Sequence, residues 1–230
     1  MNSGKIKKTG IVVAIEIDSV LSRYGTPSET VITHGRTVRT YKNEEFELYV
    51  IDSGAGEISA ASGAQLLISE FNVDMVVNFG VVGALTEEMA SSELCIVEKL
   101  IHYDFDTTGW LNLKRGQYPN HESEYLTLSP DLIEKAAAVY PDLKKVVCAS
   151  ADKFIDKAED KIALHEAYGA DICEMESAGI ALTCELSGVP CLIIKAVADS
   201  LTGGGAEFLT ELEKASGICF GVVDKVIRAI

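Results

Sequence analysis

The feature that most constrains this chain is the alternation of short apolar runs with helix-length segments along its whole length. Runs at 11–15, 75–79, 94–102, 145–150 and 191–198 carry few charges, and segments 57–71, 130–139, 157–167, 174–186 and 207–230 read as helices between them. Short apolar runs without period-two alternation fit strands buried on both faces. Segments 37–41 and 47–52 alternate more, as hairpin strands do. Strand–helix alternation from end to end predicts an α/β fold: a single-domain, largely parallel mixed central sheet with helices covering both faces. No linker, repeat or low-complexity segment divides residues 1–230, so they read as one domain, long enough to bury a sizeable core.

Composition narrows the partners. The formal charge of −15 disfavours nucleic acid and anionic membrane surfaces. The six cysteines show no C-x-x-C spacing and read as small buried thiols of a reducing compartment. The four histidines are scattered without an H-x-x-x-H pair, so no metal site is expected. The opening MNSGKIKKTG is polar and basic, and the apolar run at 11–15 is too short for a signal-peptide core or a membrane span. A cytoplasmic protein is therefore expected.

In open α/β sheets ligands bind beyond the carboxyl ends of the strands. The residues to inspect are Glu16 and Asp18, the glycine segments 53–56 and 80–83, residues 152–154, and Asp199. Asp199 follows the apolar run 191–198; a carboxyl at the mouth of a buried strand is partly desolvated, which raises its pKa and suits a general acid. Capping the turn that follows is the plainer use of the same residue. Glu174, Met175 and Glu176 read as the opening of helix 174–186, where two acids suit the helix dipole. The alternative is that Glu176 faces a pocket and accepts hydrogen bonds from a vicinal diol. Phe154 either stacks on a flat ligand or folds back on the core. The segments 53–56 and 80–83 read as strand-to-helix turns that hold phosphate on backbone N–H groups or simply need positive φ. Neither fits a dinucleotide or ATP fingerprint, so no cofactor is expected.

Residues 104–124 read as a long loop carrying Phe105, Trp110, Leu111, Leu113 and Tyr118. That is more apolar surface than a solvated loop carries, and it predicts a homodimer or higher homo-oligomer. Folding back over the chain's own core is the alternative.

Read in order, these segments resemble a family. Glu174-Met175-Glu176-Ser177-Ala178 and Lys195-Ala196-Val197-Ala198-Asp199 are similar to the E-M-E-[AS] and R-A-I-S-D motifs of the purine nucleoside phosphorylase and nucleosidase superfamily. Ser53-Gly54-Ala55-Gly56, the stretch 78–85, the stretch 150–155 and Gly116-Gln117-Tyr118-Pro119 support it. The branch most resembled is the 5′-methylthioadenosine/S-adenosylhomocysteine nucleosidases. The resemblance implies cleavage of the N-glycosidic bond of a purine nucleoside through an oxocarbenium-like sugar. It implies that Asp199 protonates N7 of the base, that Met175 and Glu176 hold the ribose, and that Phe154 and the backbone near Ile155 hold the base. Glu174, Val81, Gly83 and Lys195 complete the implied binding set. The family's water-activating glutamate falls at Asp18, with Glu16 as a rival two residues earlier.

The departures bear on the nucleophile. Lys195 replaces an arginine and loses its bidentate fork; Val81 and Ala198 replace serines. Related phosphorylases hold phosphate with arginines and a serine where this chain has Asn78 and Val81, leaving Arg23, Arg36 and Arg39 as possible phosphate ligands, the latter two from a neighbouring subunit. The charge of −15 and the missing serine favour water over phosphate. Phosphorolysis and a non-catalytic nucleoside-binding role are the alternatives.

Overall fold

The computed structural model describes residues 7–44 and 46–230. The basic opening stretch read above lies, in residues 1–6, outside the described residues. Two strands form the centre, β5 (Met75–Ala84) and β10 (Cys191–Asp199), and every residue of both is buried. Covered on both faces, they have no reason to alternate in polarity. On one side β5 pairs in parallel with β1 (Lys8–Val13), and β1 with β4 (Glu47–Asp52). The antiparallel β3 (Arg36–Lys42) and β2 (Glu29–Thr33) finish that edge.

On the other side the strands close into a ring. β10 pairs with β5 and with β6 (Leu94–His102); β6 pairs with β8 (Lys144–Ser150), β8 with β9 (Ile172–Glu174), and β9 returns to β5. The short β7 (Tyr125–Thr127) adds to β6. α2 (Glu57–Phe71) packs on α5 (Ser177–Ser187). α6 (Gly205–Ala229) lies over β10 and β5, with α1 (Ile17–Tyr24) and α3 (Pro130–Val139) against it. Phe220 of α6 meets Phe79 of β5 with ring centroids 4.7 Å apart. Burial of each such side chain contributes roughly 1.5–3 kcal/mol. α4 (Ala158–Tyr168) follows β8.

Two segments differ from the sequence reading in ways that shape the site. Gly80-Val81-Val82-Gly83 is not a turn; it is the far half of β5, paired with β10 throughout. Neither glycine has positive φ. The helix expected from 174 starts at Ser177, because Ile172–Glu174 are taken up by β9 between β8 and β5. The turn 53–56 is as expected, with Gly54 at φ 75° and Gly56 at φ 99°. All six cysteines are free and buried. Among the described residues no helix is long and apolar enough to cross a membrane.

Candidate active site

A cleft of about 180 Å³ opens beyond the ends of β1, β5 and β10. Asp199, Glu176, Met175, Phe154, Ile155, Val81 and Gly83 all line it. It also takes in Glu16, Glu174 and Phe208.

Asp199 is the last residue of β10 and is only 1% exposed. The β10–β5 register shifts between Val197 and Asp199. Irregularities of this kind re-aim a side chain. Gly83 sits opposite: a Cβ there would lie 3.1 Å from Asp199 Oδ1 and 3.2 Å from Cys173 Sγ, so glycine leaves room for the carboxyl. Lys161 of α4, with no exposed surface, donates to Asp199 Oδ2 and to the Ser200 and Gly203 carbonyls. Burial pushes the Asp199 carboxyl above its ordinary pKa, and Lys161 offsets only part of that rise. Such a group keeps its proton to higher pH than a surface aspartate, as a general acid requires. Nothing in the 157–167 periodicity distinguished Lys161 from a surface lysine of a helix.

Of the two acids after β1, only Glu16 reaches the cleft. It is 5% exposed, and its two carboxylate oxygens accept from the backbone N–H groups of Val81 (3.0 Å) and Ile15 (3.0 Å). Asp18 is exposed in the first turn of α1 and faces a separate groove between α1 and α6. The matching of Asp18 to the water-activating position is therefore corrected: α1 begins at Ile17 and turns Asp18 outward.

Glu174 and Glu176 divide the two readings of their motif. Glu174 accepts from Ser177 N, Ser177 Oγ and Glu176 N at the start of α5, which is the helix-terminus use. It also pairs with Lys195 at 3.1 Å. Burial raises its pKa, but Lys195, Ser150 and Ser177 outweigh that and hold the carboxyl below the ordinary range. Lys195 is 2% exposed and does not line the cleft, so the binding role implied for it is corrected: it neutralises Glu174 behind the wall. Glu176 turns into the cleft, held by Gly56 N at 3.0 Å and Met175 N at 3.3 Å. Burial and the neighbouring Glu174 push it up to about 7.

Phe154 is 44% exposed and meets Phe208 of α6 edge to face, with centroids 5.4 Å apart and planes at 83°. The pair forms an apolar wall, and Phe208 had no signature beyond the helical pattern of 207–230. At the N-terminus of α2 two backbone donors are already engaged by the chain's own carboxylates: Gly56 N binds Glu176 and Glu57 N binds Asp152. Arg23 pairs with Asp224 and Arg36 donates to the Ser53 carbonyl. Arg39 Nη1 is buried without a hydrogen-bond partner among the described residues. In the loop 104–124, Phe105 and Tyr118 stack on each other at 4.2 Å, whereas Trp110 is 78% exposed.

Comparison with known proteins places the chain in a family. The family model described as the phosphorylase superfamily matches residues 9–228. A 5′-methylthioadenosine/S-adenosylhomocysteine nucleosidase of Staphylococcus aureus is 31% identical over 218 residues, 90% of this chain and 93% of that one. An aminodeoxyfutalosine nucleosidase of Campylobacter jejuni is 33% identical over 171 residues, 73% of each chain. The structure of a 5′-methylthioadenosine/S-adenosylhomocysteine nucleosidase from Helicobacter pylori with butyl-thio-DADMe-Immucillin-A superposes with a TM-score of 0.92 at 25% identity, covering 98% of this chain and 99% of that one.

Proposed function

The chain belongs to the phosphorylase superfamily, and on that premise we propose that it hydrolyses the N-glycosidic bond of a purine nucleoside and releases the free base. The observation that carries the reading is that four buried acids, Glu16, Glu174, Glu176 and Asp199, line one cleft beside an aromatic pair. In the reaction Asp199 gives its proton to N7, so the base leaves neutral as the bond to the anomeric carbon breaks. The sugar becomes oxocarbenium-like, and carboxylates fixed near it stabilise that charge. Glu16 takes a proton from the water that adds to the anomeric carbon. Glu176 accepts from the ribose hydroxyls, Met175 packs on the sugar, and Phe154 with Phe208 flanks the base.

The substrate class we favour is the 5′-methylthioadenosine type named for the S. aureus relative, with the aminodeoxyfutalosine type of the C. jejuni relative as the competitor. Water is favoured over phosphate because Arg23 and Arg36 are already engaged within the chain. The buried, unpartnered Arg39 Nη1 is the one observation that supports phosphorolysis. Adenine release from 5′-methylthioadenosine, with and without inorganic phosphate, separates the two. Hydrolysis proceeds in phosphate-free buffer and yields the free sugar; a phosphate requirement and a sugar 1-phosphate product sink it. We further infer a homodimer that covers Trp110, and a cytoplasmic location suited to six reduced thiols. Light scattering showing only the 24.7 kDa monomer contradicts the first.

A further inference from the structure

Behind the cleft wall lies a further buried acid, Glu57, which has no part in the reaction above. It begins α2 and is 5% exposed. One of its carboxyl oxygens accepts from Gly179 N of α5, and the other contacts Ser150 Oγ at the end of β8. Ser150 Oγ also lies 2.6 Å from Glu174 Oε1 and accepts from Ala178 N at 3.0 Å.

Counting protons decides what this cluster is. A serine hydroxyl has one proton and two acceptor lone pairs. Here its oxygen meets one N–H donor and two carboxyl groups, and both carboxyl contacts need a proton. Ser150 supplies one of them. Glu174 already accepts from Lys195 Nζ, from Ser177 N and Oγ, and from Glu176 N, so it is the acceptor of the Ser150 proton. The second proton must sit on Glu57, which then donates to Ser150 and saturates it.

We propose that Glu57 is held as a neutral carboxylic acid, and that in this form it is a positioning residue for Glu176. The route is short. Glu57 ties the start of α2 to Gly179 in the first turns of α5, and the adjacent Gly56 N holds Glu176 Oε1 at 3.0 Å. The two helices meet so closely that a Cβ on Gly179 would run into the Glu57 carbonyl. The groups facing Glu57 are Glu174 on β9, Glu176 before α5, Lys195 on β10 behind Glu174, Tyr118 of the 104–124 loop, and Asp152, which accepts from Glu57 N. Lys195 is the single cation among them and is committed to Glu174. Burial and the charge of Glu174 push the Glu57 carboxyl up to about 8. Ionised, Glu57 sets an uncompensated charge beside the Lys195-paired Glu174, opens the α2–α5 junction and loosens Glu176.

The kinetic arm rests on the proposed hydrolysis of 5′-methylthioadenosine; the spectroscopic arm does not. Infrared spectra of the wild type at neutral pH should contain a carboxylic-acid carbonyl band that is absent in Glu57→Gln. The band should shift in Ser150→Ala, which removes the acceptor, and should disappear above about pH 8 in the wild type. Glutamine mimics the neutral acid, so E57Q should keep KM within about twofold at neutral pH, whereas E57A should raise it roughly tenfold or more. The wild-type KM should rise above about pH 8 and that of E57Q should stay flat. No acid band that responds to either substitution, or E57Q as impaired as E57A at neutral pH, overturns the proposal. If E57Q does not fold, the band in wild type and S150A decides it.

Discussion

Gly80 and Glu16 are matched: a Cβ on Gly80 would lie 2.6 Å from Glu16 Oε1, the oxygen that accepts from Val81 N. Gly80 lies inside β5 without positive φ, so alanine there strains no backbone and displaces only the acid. Gly80→Ala should therefore lower kcat while leaving the fold intact. A misplacement near 1 Å can cost on the order of 10²-fold. Steady-state kinetics beside a melting curve checks it; unchanged kcat would remove the reason for glycine at this position.

Glu16→Gln and Asp18→Asn separate the two acids after β1. E16Q should lose roughly 10²–10⁴-fold in kcat, the range for a proton-transfer group. D18N should behave as wild type, since Asp18 is exposed outside the cleft. Equal losses in both variants would return the choice to open.

Both findings show where sequence reading stops. The burial of β5 and β10 was legible, because strands covered on both faces must be apolar along their length, and so was the position of Asp199 at the mouth of the last strand. Gly80 and Gly83 were legible as special but not for the right reason: the same letters serve a positive-φ turn and a strand that must leave room for a carboxyl. Asp18 and Glu16 differ only by the point at which α1 starts, and no capping side chain marks that start. The partners of Asp199 and Glu176 come from distant segments, Lys161 and Gly56, which share no sequence signal with them.

Lys161→Met tests the tuning of the acid. Lys161 is the group that pulls the Asp199 carboxyl down against burial. Removing an opposite charge at contact should raise the carboxyl by about 1–3 pH units. A general acid must hold its proton, so the alkaline limb of kcat should move up, not down. A pH–kcat profile with the limb unmoved or lowered contradicts the pairing as the tuning contact.

Stability should also depend on pH in a defined direction. Glu57 and Glu176 have folded-state values raised to about 8 and about 7. A raised carboxyl binds more protons in the native than in the unfolded chain, so its stabilisation is complete below the unfolded value. It is lost as pH rises through the folded value. Denaturant titrations should show stability falling as pH goes from about 5 to about 8 and levelling above that. Glu57→Gln should flatten the upper part of the fall. A stability that rises across this range contradicts both assignments.

The central claim is that Asp199 protonates the departing base of a purine nucleoside attacked by water. Adenine release from 5′-methylthioadenosine by the wild type and Asp199→Asn in phosphate-free buffer, with nucleoside binding measured in parallel, tests it directly. The account predicts turnover by the wild type without phosphate. It predicts a loss of roughly 10²–10⁴-fold in Asp199→Asn with binding nearly intact. A mutant that keeps more than about a tenth of wild-type turnover, well above the general-acid range, would contradict it, as would a wild type that releases no base until phosphate is added.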